Sequence, residues 1–184
     1  MVRKKNVKLW NHLIKELNDF EIQAGWFENT RYDENTPIAG VAAVQNYGAH
    51  IRVTEKSRAF FHYIGIHLKK STDKLVIPPR PFMENAKARI QGEEGKKILL
   101  QELLRVFEGK QTMAQATNRI GMWVQGVIQE EIKKINSPPL NPMTIEMRNS
   151  EYQSSSKNQS TKPLNSSGIM ISTVQYKAGR KEEV

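Results

Sequence analysis

The chain has 184 residues, a formal net charge of +9 and no cysteine. This length suits one domain with a hydrophobic core and is short for two ordinary ones, so we predict a single domain over residues 1–184. The lack of cysteine excludes disulfides, thiol catalysis and cysteine-ligated metals. No apolar run approaches the ~20 residues needed to cross a bilayer, so no membrane partner is predicted.

The first quarter of the chain predicts a helix, a strand and a second helix. Apolar residues at helical spacing from Leu9 to Leu17 indicate the first helix. Apolar and polar residues alternate over Phe20–Phe27, which is strand periodicity. Val41–Tyr47 predicts a short helix, and Gly48 is placed to end it in a left-handed conformation.

Residues 51–76 predict a projecting β-hairpin arm. Apolar and polar residues alternate near Ile51 and again near Ile66, with many charges between them. The apolar residues are too dispersed to form a core of their own, so we expect the arm to contact an adjacent subunit. The arm closes at Ile77–Phe82, where three prolines in four positions exclude a helix or a central strand.

This rigid segment, which we call the proline elbow (Ile77–Phe82), contains most of the candidate interface residues. Pro78, Pro79 and Pro81 hold the backbone extended. Phe82 should be buried in the core near the long helix. Arg80 has two interpretations: a salt bridge within the subunit or across a subunit interface, or a contact with DNA phosphate. We favour the protein contact, because a planar guanidinium on a rigid segment suits a fixed partner, and expect Arg80→Ala to weaken assembly.

The second half of the chain predicts three helices, a polar loop and a late strand. The first helix begins near Met83 and the second spans Ile98–Phe107. The third spans Met113–Ile135, which has the longest apolar stripe in the sequence. The polar stretch that follows predicts a mobile loop at about residues 149–162. Gly168, a further candidate interface residue, precedes a strand over Ile169–Lys177. Residues 178–184 should form a charged tail.

These elements predict an α+β fold. A small antiparallel sheet should pair the strand near Phe20–Phe27 with the strand near Ile169–Lys177, and should pack against the long helix, because each buries the other's apolar face. The arm and the mobile loop should extend from this body.

No group of residues predicts an active site. His62 and His67 are five residues apart and lack a carboxylate at metal-ligand spacing, so surface or partly packed histidines are the ordinary interpretation. The adjacent pairs Glu93–Glu94 and Glu130–Glu131 do not face each other on a helix and are expected to be solvated. Phosphate-binding loops and nucleophile elbows are also absent from the sequence. We therefore predict no enzymatic activity, no cofactor and no metal.

The positive charge favours contact with nucleic acid or with an acidic protein surface. The basic residues are scattered along the chain instead of forming one long run. This distribution favours weak, non-specific contact with DNA over sequence-specific binding.

Four segments, in this order, resemble a family of tailed-bacteriophage proteins. Val41–Ala49 resembles the family's VA..NEYG turn, and Ile51–Lys69 resembles an arm found in one branch. Ile77–Met83, with the sequence IPPRPFM, resembles the IPxRPF signature. Pro138–Ile145 and Lys162–Met170 together resemble the pattern PPxxPxTI…KPLxDTGxL. The family comprises tail-completion or neck proteins and is similar to Mu-type virion morphogenesis proteins.

The resemblance spans about residues 22–178 and departs from the family pattern in two places. Asn165–Ser167 replaces the Asp-Thr pair that commonly precedes the glycine. The polar insert between Arg148 and Lys162 is longer than usual.

The resemblance implies a structural protein of the virion, made in the host cytoplasm, with no catalytic residues to carry over. Its subunits would form a ring at the head–tail junction, with a hexamer favoured over a dodecamer. The implied partners are head-side connector or stopper proteins, the tail tube or tail terminator, and genomic DNA passing through the channel. The alternatives are a DNA-binding or packaging accessory protein and the neighbouring tail terminator ring.

Overall fold

A computed structural model describes residues 2–149, 161–165 and 167–182. These residues form an α+β fold, as predicted, with eight helices: α1 (Val2–Asp19), α2 (Ile38–Tyr47), α3 (Glu55–Tyr63), α4 (Phe82–Gln91), α5 (Glu93–Phe107), α6 (Met113–Lys134), α7 (Pro142–Asn149) and α8 (Ile169–Ser172). The strands are β1 (Phe20–Gly25), β2 (Arg31–Asp33), β3 (Thr36–Pro37), β4 (Ala49–Arg52), β5 (Lys74–Ile77) and β6 (Gln175–Arg180). They pair antiparallel as β1–β6, β2–β3 and β4–β5.

The described residues divide into two compact units. Unit 1 contains those within residues 1–27, 83–131 and 173–184, and unit 2 those within 28–82 and 132–172. The prediction of a single domain stays a prediction.

In unit 1 the sheet β1–β6 packs on helix α6, which confirms the predicted pairing of the early and late strands with the long helix. The side-chain amide of Gln125 donates to the Val174 carbonyl at 2.6 Å, and the Tyr176 hydroxyl donates to Asn118 Oδ1 at 2.9 Å. A Cβ at Gly121 would lie 2.4 Å from the Tyr176 ring, so glycine provides the space for this close approach.

Unit 1 also contains a small apolar cluster. Val106, Met113 and Ala116 are buried at its centre. Partly buried side chains pack around them: Leu13, Leu17, Phe20 and Leu103. This cluster joins α1, β1, α5 and α6 through apolar contact, and its stability therefore depends on the area removed from water.

The late strand begins later than predicted. Ile169–Ser172 forms the short helix α8, where the Ile171 and Ser172 N–H groups donate to the Gly168 carbonyl at 3.1 and 2.9 Å. A short apolar run does not distinguish helix from strand by periodicity alone. At its other end β6 continues to Arg180, so the predicted tail at 178–184 was wrong for its first three residues, which pair with β1.

The arm is a hairpin at its base and a helix in its interior. β4 and β5 pair in register from Ala49↔Ile77 to Arg52↔Lys74, as a hairpin predicts. The interior prediction was wrong, because the chain between these strands forms α3. Thr54 starts this helix through a capping box, in which its hydroxyl accepts from the Ser57 N–H at 3.1 Å.

The polar stretch after α6 contains helix α7, which the sequence did not predict. Pro142 occupies its first position, where a missing N–H costs nothing. The N–H groups of Thr144 and Ile145 donate to the Asn141 carbonyl at 2.8 and 3.2 Å. Most of the predicted mobile loop, residues 150–160, lies outside the described residues.

We find no helix in the described part of the chain that is long and apolar enough to cross a membrane.

Candidate functional site

The proline elbow lies against the C-terminal end of helix α2 within unit 2. The Arg80 N–H donates to the carbonyls of Gln45 and Asn46 at 2.9 and 3.2 Å. Carbonyls at the end of a helix lack partners within it, so the elbow supplies a donor that α2 needs. The extended elbow predicted from the prolines is confirmed: β5 ends at Ile77 and α4 begins at Phe82.

Gly48 permits this close approach. Its φ angle of +76° is positive, as the predicted left-handed conformation requires, while its ψ angle of 170° is extended and not helical. A Cβ at this position would lie 2.7 Å from the Ile77 carbonyl oxygen and 2.9 Å from the Pro79 nitrogen. Both atoms belong to the backbone of the elbow, so no side-chain rotation relieves the clash.

The Arg80 side chain joins three segments of unit 2. Nη1 donates to Gln45 Oε1 at 2.9 Å, Nε donates to the Pro138 carbonyl at 3.1 Å, and Nη2 lies 3.5 Å from the Pro139 carbonyl. Arg80 is 4% exposed. Its acceptors are carbonyl and amide oxygens instead of the carboxylate expected for a salt bridge.

A second arginine performs a similar role nearby. Arg148, on α7, donates from Nη1 to the Lys162 carbonyl at 2.9 Å and from Nη2 to the Pro163 carbonyl at 3.1 Å. Burial lowers the pKa of both arginines from the ordinary value, and the charge of Arg148 lowers the pKa of Arg80 further. Arginine keeps its proton in proteins, so both guanidinium groups remain charged hydrogen-bond donors.

Two adjoining cavities contain these arginines. The larger, of about 560 Å³, is lined by Arg80, Arg148 and Gln45 together with the start of the elbow. The smaller, of about 140 Å³, shares Gln45 and Arg148 and is also lined by Tyr32 and Gly168. Burial raises the pKa of Tyr32, and a backbone hydrogen bond at Met170 partly opposes that rise.

The remaining candidate residues differ in burial. Phe82 is fully buried, at 0% exposed, in agreement with its predicted role as an anchor. Pro78 is half-buried, while Pro79 and Pro81 are exposed. Gly168 has a φ angle of +75° and precedes α8. An interface role for these residues stays a prediction.

Three of the four sequence segments that carry the family resemblance meet at this site. Gln45 belongs to the first, Arg80 to the third, and Pro138 and Pro163 to the fourth. The second segment contributes only Ile51 and Arg52 to β4, which pairs with β5 at the base of the elbow. Sequence reasoning had no way to place Pro138 beside Arg80, because 58 residues separate them.

An ion cluster in unit 1 was missed by the sequence analysis. Arg89 forms a bidentate pair with Glu94, at 2.6 and 2.9 Å, and contacts Glu130 and Glu131 at 2.5 and 3.4 Å. These contacts raise the Arg89 pKa above the ordinary arginine value. Glu93, Glu94 and Glu130 are exposed, as predicted, and the prediction was wrong for Glu131, which is buried. The cluster links α4, α5 and α6, and its contacts are those of a structural brace.

Searches of protein-family models, curated proteins and solved structures found no match to this chain. Within the described ranges, no group of three or more histidine, aspartate or glutamate side chains is arranged to hold a metal ion.

Proposed function

We propose that the chain is a structural subunit of a ring at the head–tail junction of a tailed bacteriophage. The ring would link the head connector to the tail around the DNA channel. One observation carries the proposal: three of the four separated segments that resemble the neck and tail-completion family contact one another through Arg80 and Gly48. A shared packing arrangement gives a physical reason for those segments to occur together in one sequence.

Exposed apolar side chains support a role in assembly. In unit 1 a stripe on α1 and neighbouring positions on α5 expose large apolar side chains, which we call the α1/α5 face: Val7, Trp10, Ile14, Leu99, Leu100 and Leu104. A groove of about 100 Å³ with an apolar lining, including Trp10 and Leu103, runs along it. Clustered exposed apolar area of this kind marks contact surfaces.

Unit 2 exposes a different set of apolar side chains on and beside the arm, which we call the arm face: Tyr47, Ile51, Phe60, Tyr63 and Val76. The sheet β4–β5 has two strands in the described residues, so each strand has an outer edge on which a further strand could pair. A closed ring requires two different surfaces that meet head to tail. The α1/α5 face of one copy and the arm face of the next provide such a pair.

The proposed partners follow from that position. The chain would bind copies of itself, in a hexamer in preference to a dodecamer. Head-side connector or stopper proteins would bind on one side, and the tail tube or tail terminator on the other. Genomic DNA would pass through the channel with non-specific contacts.

A DNA-binding or packaging accessory protein is the second candidate. The observation in its favour is the charge of the arm, in which residues 51–76 contain six lysines and arginines against two acidic residues. Arg80 offers it little support, because the guanidinium is buried and hydrogen-bonded to carbonyl and amide oxygens within unit 2.

The molar mass of the purified chain tests the first candidate against the second. Light scattering after size-exclusion chromatography, with negative-stain electron microscopy, should show a closed ring. A monomer that binds duplex DNA with an affinity falling steeply with salt would contradict the ring and favour the accessory protein.

A variant with a shortened arm tests whether the arm takes part in the interface between copies. Val53 and Asp73 are adjacent, since the Val53 N–H donates to the Asp73 carbonyl at 2.8 Å. Replacing residues 54–72 with a two-residue Asn-Gly turn therefore keeps β4–β5 paired. This variant should fold as a monomer. Normal rings from it would exclude the arm from the interface.

A further inference from the structure

Helix α3 ends in a turn that brings two histidines together. The Gly65 N–H donates to the His62 carbonyl at 3.0 Å, and the Ile66 N–H donates to the Phe61 carbonyl at 2.7 Å. Gly65 has a φ angle of +84°. This pattern is a Schellman motif, which reverses the chain at the end of a helix. Ile66 is 6% exposed and anchors the reversed segment.

The segment beyond the turn is fixed by Arg58. Its Nη1 donates to the carbonyls of Leu68 and Lys69 at 3.1 and 2.9 Å, and its Nη2 donates to the Thr72 carbonyl at 2.7 Å. His67 therefore lies between two anchored neighbours, Ile66 and Leu68. Its backbone position relative to α3 is set before any ligand binds.

The imidazoles of His62 and His67 are in direct contact. Their Nδ1 atoms lie 2.9 Å apart, and their ring centroids lie 4.7 Å apart with the planes tilted by 59°. Both side chains line an open cavity of about 410 Å³. In the neutral pair one Nδ1 carries a proton and donates it to the other.

We infer that His62 and His67 form a two-histidine chelate for a divalent transition metal ion. A metal bound by two imidazole nitrogens at ~2.0–2.1 Å and at a right angle holds those nitrogens about 2.9 Å apart. The observed separation matches that bite, so only a small rotation of the exposed rings is needed to direct both lone pairs at one ion. The inference does not depend on the proposed function.

The proton balance of binding is simple. The proton shared between the two Nδ1 atoms moves through solvent to Nε2 of the same ring, which frees both Nδ1 lone pairs. Water fills the remaining coordination positions. Glu55 and Arg58 line the same cavity and contribute opposite charges. Imidazole ligands favour Cu²⁺ over Ni²⁺ and Zn²⁺, while Mg²⁺ and Ca²⁺, which prefer oxygen ligands, should not bind.

The spacing of His62 and His67 did not predict their contact, because residues five apart on a continuous helix do not share a face. The Schellman turn removes that objection by placing His67 outside the helix and next to its last turn. Three positions together reveal the pair in the sequence. A histidine (His62) stands at the second-last position of the helix, a glycine (Gly65) follows three residues later, and a second histidine (His67) lies two residues beyond the glycine.

Metal titration of the full chain, prepared without a histidine tag, tests the inference. Isothermal calorimetry with Cu²⁺, Ni²⁺ and Zn²⁺ should show one site per chain, with Cu²⁺ tightest. His62→Ala and His67→Ala should each lower the affinity at least about tenfold. His12→Ala and His50→Ala are the matched controls and should leave the affinity unchanged. The electron paramagnetic resonance spectrum of the Cu²⁺ complex should show two nitrogen ligands.

Gly65→Ala provides an independent variant that retains every imidazole. It strains the turn at a positive φ angle and should weaken the metal affinity, provided circular dichroism shows that the chain is folded. Equal affinities for wild type and the His62→Ala/His67→Ala double variant would overturn the inference. A loss of affinity confined to the His12 or His50 variant would overturn it as well.

Discussion

The proline elbow and the α1/α5 face differ in how far their side chains are buried. At the elbow, Arg80 is 4% exposed and hydrogen-bonded to oxygens of unit 2, and Phe82 is fully buried. On the α1/α5 face, Trp10 and Leu100 remain 53% and 59% exposed beside an apolar groove. In the elbow, the Arg80 guanidinium has hydrogen-bond partners within unit 2 and the Phe82 ring is buried. The α1/α5 face leaves apolar area in water.

This difference separates the residues that stabilise the fold from those that we propose to bind another copy. A buried guanidinium with internal acceptors stabilises the fold, since removing it leaves buried oxygens without donors. Exposed apolar side chains gain free energy when a partner covers them. The sequence left Arg80 with a partner either within the subunit or across an interface. The structure shows its partners within unit 2, and an interface role for the elbow stays a prediction.

Phe82→Ala should have the largest effect on stability. Truncating a fully buried phenylalanine loses transfer free energy and leaves a cavity, which lowers the free energy of unfolding by about 3–5 kcal/mol. Urea denaturation followed by circular dichroism measures this loss. Phe60→Ala is the matched control, because Phe60 is 56% exposed and its truncation should cost about 0.5 kcal/mol or less. Equal losses for the two variants would show that the elbow is not anchored through Phe82.

Arg80→Ala should lower the free energy of unfolding by about 2–3 kcal/mol, because charge-assisted hydrogen bonds to Gln45 and Pro138 are lost in a buried position. Arg80→Lys keeps the charge without the planar fork and should give an intermediate loss. Arg105→Ala, at an exposed position on α5, is the control. If Arg80→Ala is as stable as wild type, the guanidinium does not brace the elbow.

A pair of glycine variants in and after α2 should give effects of opposite sign. Gly48→Ala strains a positive φ angle and drives a Cβ into the Ile77 carbonyl, which should cost about 1–3 kcal/mol. Gly40→Ala lies within the helix, where the nearest atom to a Cβ is 3.6 Å away, and should stabilise by about 0.5–1 kcal/mol. Thermal unfolding of both variants is the measurement. Stabilisation by both would mean that the elbow does not approach Gly48 closely.

The sequence predicted elements with long periodic patterns better than it predicted short or polar ones. Helix α6 and the β1–β6 pair follow from apolar periodicity, because a long stripe averages out local ambiguity. Helices α3 and α7 were missed, since capping and a first-position proline start them while their apolar content is low. The elbow was predicted from its prolines, and Phe82 was correctly expected to be buried.

The internal partners of the candidate site were beyond sequence reasoning. Arg80 contacts Pro138, which lies 58 residues away, and Arg89 contacts Glu130, which lies 41 residues away. Neither pair leaves a local pattern, because the chain returns to each contact through several intervening elements. The sequence also could not predict that Arg80 donates to backbone carbonyls, because every residue has a carbonyl and none is distinguished by the sequence.

The central claim is that the ring forms through the α1/α5 face while the elbow stabilises the subunit. The molar masses of two variants, Leu100→Gln and Arg80→Lys, test this claim most directly. Leu100→Gln should remain as stable as wild type to within about 0.5 kcal/mol, because Leu100 is exposed, yet should run as a monomer. Arg80→Lys should lose stability and still form rings at temperatures where it is folded. Intact rings from Leu100→Gln, together with folded monomers from Arg80→Lys, would contradict this account and assign assembly to the elbow.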